Sequence, residues 1–129
     1  MTKWQQIEVG DVEGHVIATF EKKGIDFNLD GKPLYNGWAR YQVGYIDFNA
    51  KTGLVESCNG HDVVTDPQGD KIHEAWKSYP GKIGTLKGEV TMVKGTGKYE
   101  GIKGKGNRAF YPVTDLLSYV VRECEVELP

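Results

Sequence analysis

Two charged residues stand where the surrounding pattern calls for apolar ones. Between Asp70 and Tyr79 the alternate residues Ile72, Glu74 and Trp76 form one set, and Lys71, His73, Ala75 and Lys77 form the other. Side chains on a strand alternate between faces, so the more apolar set turns inward and takes Glu74 with it. Between Ser118 and Leu128 the set Val120, Arg122, Cys124, Val126 and Leu128 is apolar except for Arg122. A buried charge without a partner is too costly to keep. Two readings follow. In the first, Glu74 and Arg122 form a structural ion pair, or a network with tyrosine hydroxyls. In the second they are a catalytic pair on a pocket wall. Arg122 then grips a carboxylate or enolate bidentately, and Glu74, its pKa raised by desolvation, serves as general acid or base.

Aromatic residues supply candidate walls for such a pocket: Trp38, Tyr41, Tyr45, Trp76, Tyr99 and Phe110. Tyrosines would add hydroxyl donors. The strand 40–48 leaves its orientation open. Tyr41, Val43, Tyr45 and Asp47 form one set, and Arg40, Gln42, Gly44, Ile46 and Phe48 the other. Trp38, Tyr41 and Tyr45 therefore read equally as core filling or as an outer aromatic surface. The histidines His15, His61 and His73 show no metal-ligand spacing, and no Gly-x-Ser-x-Gly elbow is present. No metal or cofactor is expected. Cys58 and Cys124 are either two small buried thiols or one disulfide, the latter worth about 4 kcal/mol on the chain-entropy model.

The elements that must position these residues are short strands. Glycine numbers 17 in 129 residues, and each glycine inside a helix costs about 1 kcal/mol relative to alanine. Turn signals recur roughly every ten residues: Gly10-Asp11, Lys23-Gly24, Asp30-Gly31-Lys32-Pro33, Asn49 to Gly53, Asn59-Gly60, Asp66 to Gly69, Pro80-Gly81 and Gly95-Thr96-Gly97. Between them eight strands are expected, at 4–9, 14–22, 40–48, 54–65 (with a break at Asn59-Gly60 left open), 70–79, 86–93, 104–111 and 118–128. Thr114–Leu117 fits one helical turn capped by Thr114. The inward sets are Val16, Ala18 and Phe20 on the second strand and Leu86, Gly88, Val90 and Met92 on the sixth. One all-β domain over residues 1–129 is expected, an eight-stranded antiparallel up-and-down barrel that removes exposed edges. A β-sandwich is the alternative. Such a barrel is just wide enough to be filled by side chains or to hold one small ligand.

The formal net charge of −2 excludes the basic surplus of a nucleic-acid binder. No apolar run approaches the ~18 residues of a membrane span. The N-terminus has no apolar signal core, so the chain as it stands reads as cytoplasmic, or as periplasmic or secreted if such a segment has been removed.

The segment from Lys94 to Gly106, Lys-Gly-Thr-Gly-Lys-Tyr-Glu-Gly-Ile-Lys-Gly-Lys-Gly, resembles the Gly-Thr-Gly-(Lys/Arg)-aromatic signature of the allene oxide cyclase and dirigent barrels. Thr65 to Ile72 resembles the Asp-x-x-Gly-Asp-x-(Ile/Val) hairpin of small bacterial members of that group. These motifs cover about a fifth of the chain. Glycines there permit tight turns, with Tyr99 tucked under the barrel end. The same Gly-Thr-Gly-Lys lacks the spacing and the helix of a P-loop. The resemblance implies a calycin-like barrel with an apolar pocket that folds a reactive substrate, and carries over no catalytic residue. It also brings the expectation of a homo-oligomer, although the sequence shows no diagnostic apolar patch. Three functions remain: binding of a small apolar or aromatic molecule in the barrel, a cofactor-independent cyclase or isomerase, or a filled scaffold.

Overall fold

The computed structural model describes residues 3–28, 33–84, 86–112 and 118–127. Within them the chain is all-β. The strands are Lys3–Glu8 (β1), His15–Asn28 (β2), Trp38–Asn49 (β3), Leu54–Thr65 (β4), Lys71–Ser78 (β5), Gly81–Lys82 (β6), Leu86–Gly95 (β7), Lys103–Pro112 (β8) and Ser118–Glu127 (β9), with one 3-10 turn at Gly97–Tyr99. The added strand, β6, is a two-residue stub against Leu54 and Val55. The expected turn at Lys23-Gly24 is absent, and the break left open at Asn59-Gly60 does not occur. β2 runs straight through Lys23-Gly24, and β4 through Asn59-Gly60. Both glycines are strand residues, Gly24 opposite Arg40 and Gly60 opposite Gly44 and Trp76. The proposed turn at Thr114–Leu117 lies outside the described residues.

Neighbouring strands pair in the order β1-β2-β3-β4-β5-β7-β8-β9, and β9 returns to β2. Every pairing is antiparallel except that last one, where Gly24–Asn28 run parallel to Ser118–Arg122. The ring is therefore not the regular up-and-down barrel expected from the strand rhythm. Strand lengths explain the departure. β3 lies along one edge of β2 from His15 to Asp26. The six-residue β1 covers the other edge only from Val16 to Glu21. The far half of that edge would be left open, and β9 takes it. Among the described residues β1 itself pairs with β2 alone, so one seam of the ring is unclosed at its end.

The interior has two apolar clusters. One holds Val16, Ala18, Phe20, Ile46, Phe48, Val55, Cys58, Trp76, Leu86 and Val90, with Trp4 packed against it. The other, at the opposite end, holds Tyr35, Trp38, Val64, Ile72, Met92, Tyr99 and Ile102. Tyr35 sits in the second at a left-handed φ of 65°, an uncommon conformation for a bulky residue, which its complete burial holds in place.

The two glycine-rich motifs meet at this second end. Asp66 is buried at the start of the β4–β5 turn. Its Oδ1 accepts hydrogen bonds from the backbone N–H groups of Gln68 and Asp70, both at 2.9 Å. Its Oδ2 accepts from the Tyr99 hydroxyl at 2.7 Å and pairs with Lys98 Nζ at 2.7 Å. Thr96 Oγ1 accepts from the Lys71 N–H at 2.9 Å. Gly97 has φ +55°, and a Cβ there would meet Asp70 Oδ1 at 2.1 Å, so the junction requires glycine. Burial pushes the Asp66 pKa up, but the bonds from Lys98, Tyr99, Asp70 and Gln68 outweigh it and hold the carboxyl at about 2, below its ordinary 3.8.

A carboxyl depressed in the folded state stabilises fully above its unfolded pKa, and the contribution is lost as pH falls through its folded value. Asp66→Asn should cost about 1–3 kcal/mol at pH 7, the loss typical of a charged hydrogen-bond acceptor. In urea melts the gap between Asp66→Asn and the parent should narrow as pH falls from about 4 toward 2. A gap that is constant across that range would refute this account of the junction.

Candidate functional site

The interior between the two clusters is ionic. Asp26, Arg40, Asp62, Glu74, Arg108 and Arg122 are all buried, none more than 7% exposed. Arg122 bonds both Glu74 and Asp26. Arg40 Nε donates to the second oxygen of Asp26 at 2.8 Å, and Arg40 also feels the Asp62 charge. Arg108 Nη1 donates to Asp62 Oδ2 at 2.6 Å. Ion pairs join Glu74, Arg122, Asp26 and Arg40 in one segment and Asp62 with Arg108 in another, and the attraction between Arg40 and Asp62 sets the two in one alternating string.

Sheet register dictates this arrangement. Asp62 and Glu74 are direct cross-strand partners on β4 and β5, and Arg108 and Arg122 are partners on β8 and β9. Like charges placed opposite one another repel. Here the acidic pair faces the basic pair across the interior, and each neutralises the other. The Tyr35 ring covers the Arg122 guanidinium from the side of the second apolar cluster, its centroid 4.0 Å from the guanidinium carbon. Burial raises the Glu74 pKa, opposed by Arg122. Burial works against the Arg122 cation, but Glu74 and Asp26 outweigh it and hold its pKa well above the ordinary value.

Beside the open seam lies a cavity of about 280 Å³. Its walls are Trp4, Phe20, Phe48, Trp76 and Phe110, with Ile46, Ile83 and Leu86. Its polar lining is Lys22, Gln42, Cys58, Ser78 and Arg108, without any carboxylate. A single cross-strand row builds the aromatic wall: Trp4, Phe20, Gly44, Gly60 and Trp76 stand side by side across five strands. The two glycines leave space for the rings of Phe20 and Trp76, whose centroids are 6.2 Å apart. A Cβ at Gly44 would sit 2.5 Å from Phe20 and 2.8 Å from Trp76. Lys22 Nζ lies 4.5 Å from the Phe110 ring centroid and 5.0 Å from that of Phe20. Arg108 lies over Trp76 at 5.3 Å. A larger depression of about 910 Å³, lined by Lys3, Thr19, Tyr45, Asn59 and His61 among others, is the more open of the two.

The string and the cavity touch at Arg108. Glu74 and Arg122, the pair expected to do chemistry, are bonded to one another inside the string and do not line the cavity. Of the six aromatic candidates, Trp76 and Phe110 line it. Trp38 and Tyr99 pack together in the second apolar cluster, centroids 5.5 Å apart. Tyr41 and Tyr45 fall on the outer face, because Arg40, Gln42, Ile46 and Phe48 are the buried set of β3. Trp4, Phe20, Lys22 and Arg108 complete the site. Lys22 and Asp26 continue the Val16, Ala18, Phe20 parity, Lys22 at the end of the expected strand and Asp26 once β2 runs past Gly24. Cys58 and Cys124 are free thiols, and burial pushes both up to about 11. Elsewhere, His15 is held between Asp11 at 2.7 Å and Asp47 at 2.6 Å, outside the cavity lining. Among the described residues no three His, Cys, Asp or Glu side chains cluster as metal ligands, and no helix is long and apolar enough to cross a membrane.

Fold and site together define an all-β ring with an internal ion string and an aromatic cavity at its open seam. No protein-family model, curated protein or solved structure matches the chain.

Removing one member of a buried ionic network leaves the others uncompensated. Arg122→Met should therefore cost about 3–5 kcal/mol, and adding Glu74→Gln to it should recover part of the loss. Equilibrium unfolding of the single and double variants measures both. Additive losses would show that the two residues are not coupled.

Proposed function

We propose that this protein binds a compact, mostly apolar molecule in the cavity at its open seam. The observation that carries the reading is the cavity itself: aromatic on most sides, polar at a few fixed points, and about 280 Å³ in volume. That size lies just below the ~300–1,000 Å³ typical of ligand sites, which limits the occupant to a compact molecule. Binding fits the lining better than catalysis does. Glu74 and Arg122 are spent on one another and on Asp26. Cys58, with its pKa near 11, is a protonated thiol at neutral pH and a poor nucleophile. A cyclase or isomerase would have to draw its acid and base from Lys22, Ser78 and Arg108 instead.

We also propose kinship with the eight-stranded allene oxide cyclase and dirigent barrels. What supports it is the contact between the two motifs that carry the resemblance, through Asp66, Lys98 and Tyr99. In this view β6 and the parallel β2–β9 closure are local departures from that barrel.

The neutral probe N-phenyl-1-naphthylamine, which brightens in apolar sites, tests the binding reading. Saturable one-site binding is expected. Ile83 is 48% exposed and lines the cavity, so Ile83→Trp should block the site while changing stability by no more than about 0.5 kcal/mol, as surface substitutions do. A probe that ignores the parent, or binds both forms equally, would count against the cavity as a ligand site.

A further inference from the structure

Among the described residues, charge in the ion string and the cavity does not balance. The two hold four cations, Lys22, Arg40, Arg108 and Arg122, against three carboxylates, Asp26, Asp62 and Glu74. The excess is at the cavity. Lys22 forms no ion pair with any described residue, and its contacts are the faces of Phe20 and Phe110. A half-buried ammonium normally finds a carboxylate or reaches water. Arg108 carries five donors. Its one hydrogen bond to a described residue uses Nη1, so the rest of the guanidinium has no acceptor among the described residues. The indole N–H of Trp76 is buried and likewise lacks an acceptor. The nearest carboxylate in the string, Asp62, is engaged by Arg108 and does not line the cavity.

These groups are all donors, and all belong to one cavity. Around them stand flat rings: Trp4 lies 6.2 Å from Phe20 and stacks on it at 19°, and Phe20 meets Trp76 at 6.2 Å. A planar ligand body can slide against such walls with little loss of rotamer freedom, and an anionic head would complete the charge alternation that stops at Arg108. A long flexible chain suits neither the volume nor the flat walls.

Resting on the cavity reading above, we infer that the ligand is a compact aromatic anion, an aryl carboxylate or its equivalent, whose charged group lies between Lys22 and Arg108 and whose ring lies against Phe20, Trp76 and Phe110. Lys22 acts as the anion's main counter-charge, and Arg108 supplies directed hydrogen bonds from a position fixed by Asp62.

Calorimetric titration with three probes tests this: 2-naphthoate, the neutral 2-naphthylmethanol and the non-aromatic octanoate. The parent protein should bind 2-naphthoate at least tenfold more tightly than the alcohol and at least fivefold more tightly than octanoate. Lys22→Met should weaken 2-naphthoate at least tenfold and the alcohol by less than threefold, while Lys22→Arg should keep the preference for the anion. Lys22 lies outside the ion string, so these variants are expected to fold, and a circular-dichroism melt checks that they do. Binding of the alcohol as tight as that of 2-naphthoate would overturn the inference and leave the cavity reading standing. So would equal losses for both ligands in Lys22→Met. Octanoate matching 2-naphthoate would overturn the aromatic part. Failure of all three to bind would overturn both this inference and the cavity reading beneath it.

Discussion

The interior ion string is the constraint on which the remaining structure depends. It joins β2, β3, β4, β5, β8 and β9, strands that come from both ends of the chain, by short charged contacts deep inside the ring. Buried ion pairs are poor sources of net stability, since a well-packed apolar replacement is often as stable or more so. What this one supplies is geometry. A slip of one residue in any of these strands would turn its charge outward and leave a partner buried alone. The observed register gives each of the six at least one opposite charge nearby. The parallel pairing of β9 with β2 belongs to the same solution, because it is what brings Arg122 to Asp26.

The cavity follows from the irregular closure. A ring closed by antiparallel partners along its whole height would carry a strand beside β1. Here β1 is short, β9 starts level with Gly24, and the seam at the other half of β2 is bordered by the β6–β7 turn and the end of β8. The side chains that would fill a narrow barrel instead wall a space. Glycine makes the wall possible. Gly44 and Gly60 face one another in mid-strand, where they weaken the strands as such, yet they are the reason two large rings fit across the floor of the ring.

Period-two alternation made part of this legible in the sequence. It turned Glu74 and Arg122 inward, along with Ile72, Trp76, Val120 and Val90, and all of these are buried. For Asp26 and Asp62 a local turn signal competes with the pattern. Lys23-Gly24 looks like a turn and Asn59-Gly60 like a hairpin, but a glycine chosen for space is indistinguishable in one sequence from a glycine chosen for positive φ. On β3 the tyrosine set and the Arg40–Gln42 set compete, and apolarity alone leaves the choice open. The deciding fact is that Arg40 finds a buried partner in Asp26, which is distant information. The cavity lining was the least legible, because Trp4, Lys22 and Phe110 come together only through a seam that no single strand encodes.

Arg108 connects the constraint to the site. It is at once the last member of the string and part of the cavity lining, so the string holds a cation in place where a mobile side chain would otherwise swing toward water. A guanidinium fixed by Asp62 on one side and by the face of Trp76 on another has lost its rotamer entropy during folding. A ligand that meets it does not bear that cost again. Lys22, by contrast, is held only by ring faces, and burial together with the Arg40 charge lowers its pKa. Lys22 from β2 and Arg108 from β8 thus bring a soft cation and a rigid one to the same cavity, and the alternation of charge that orders the core ends there.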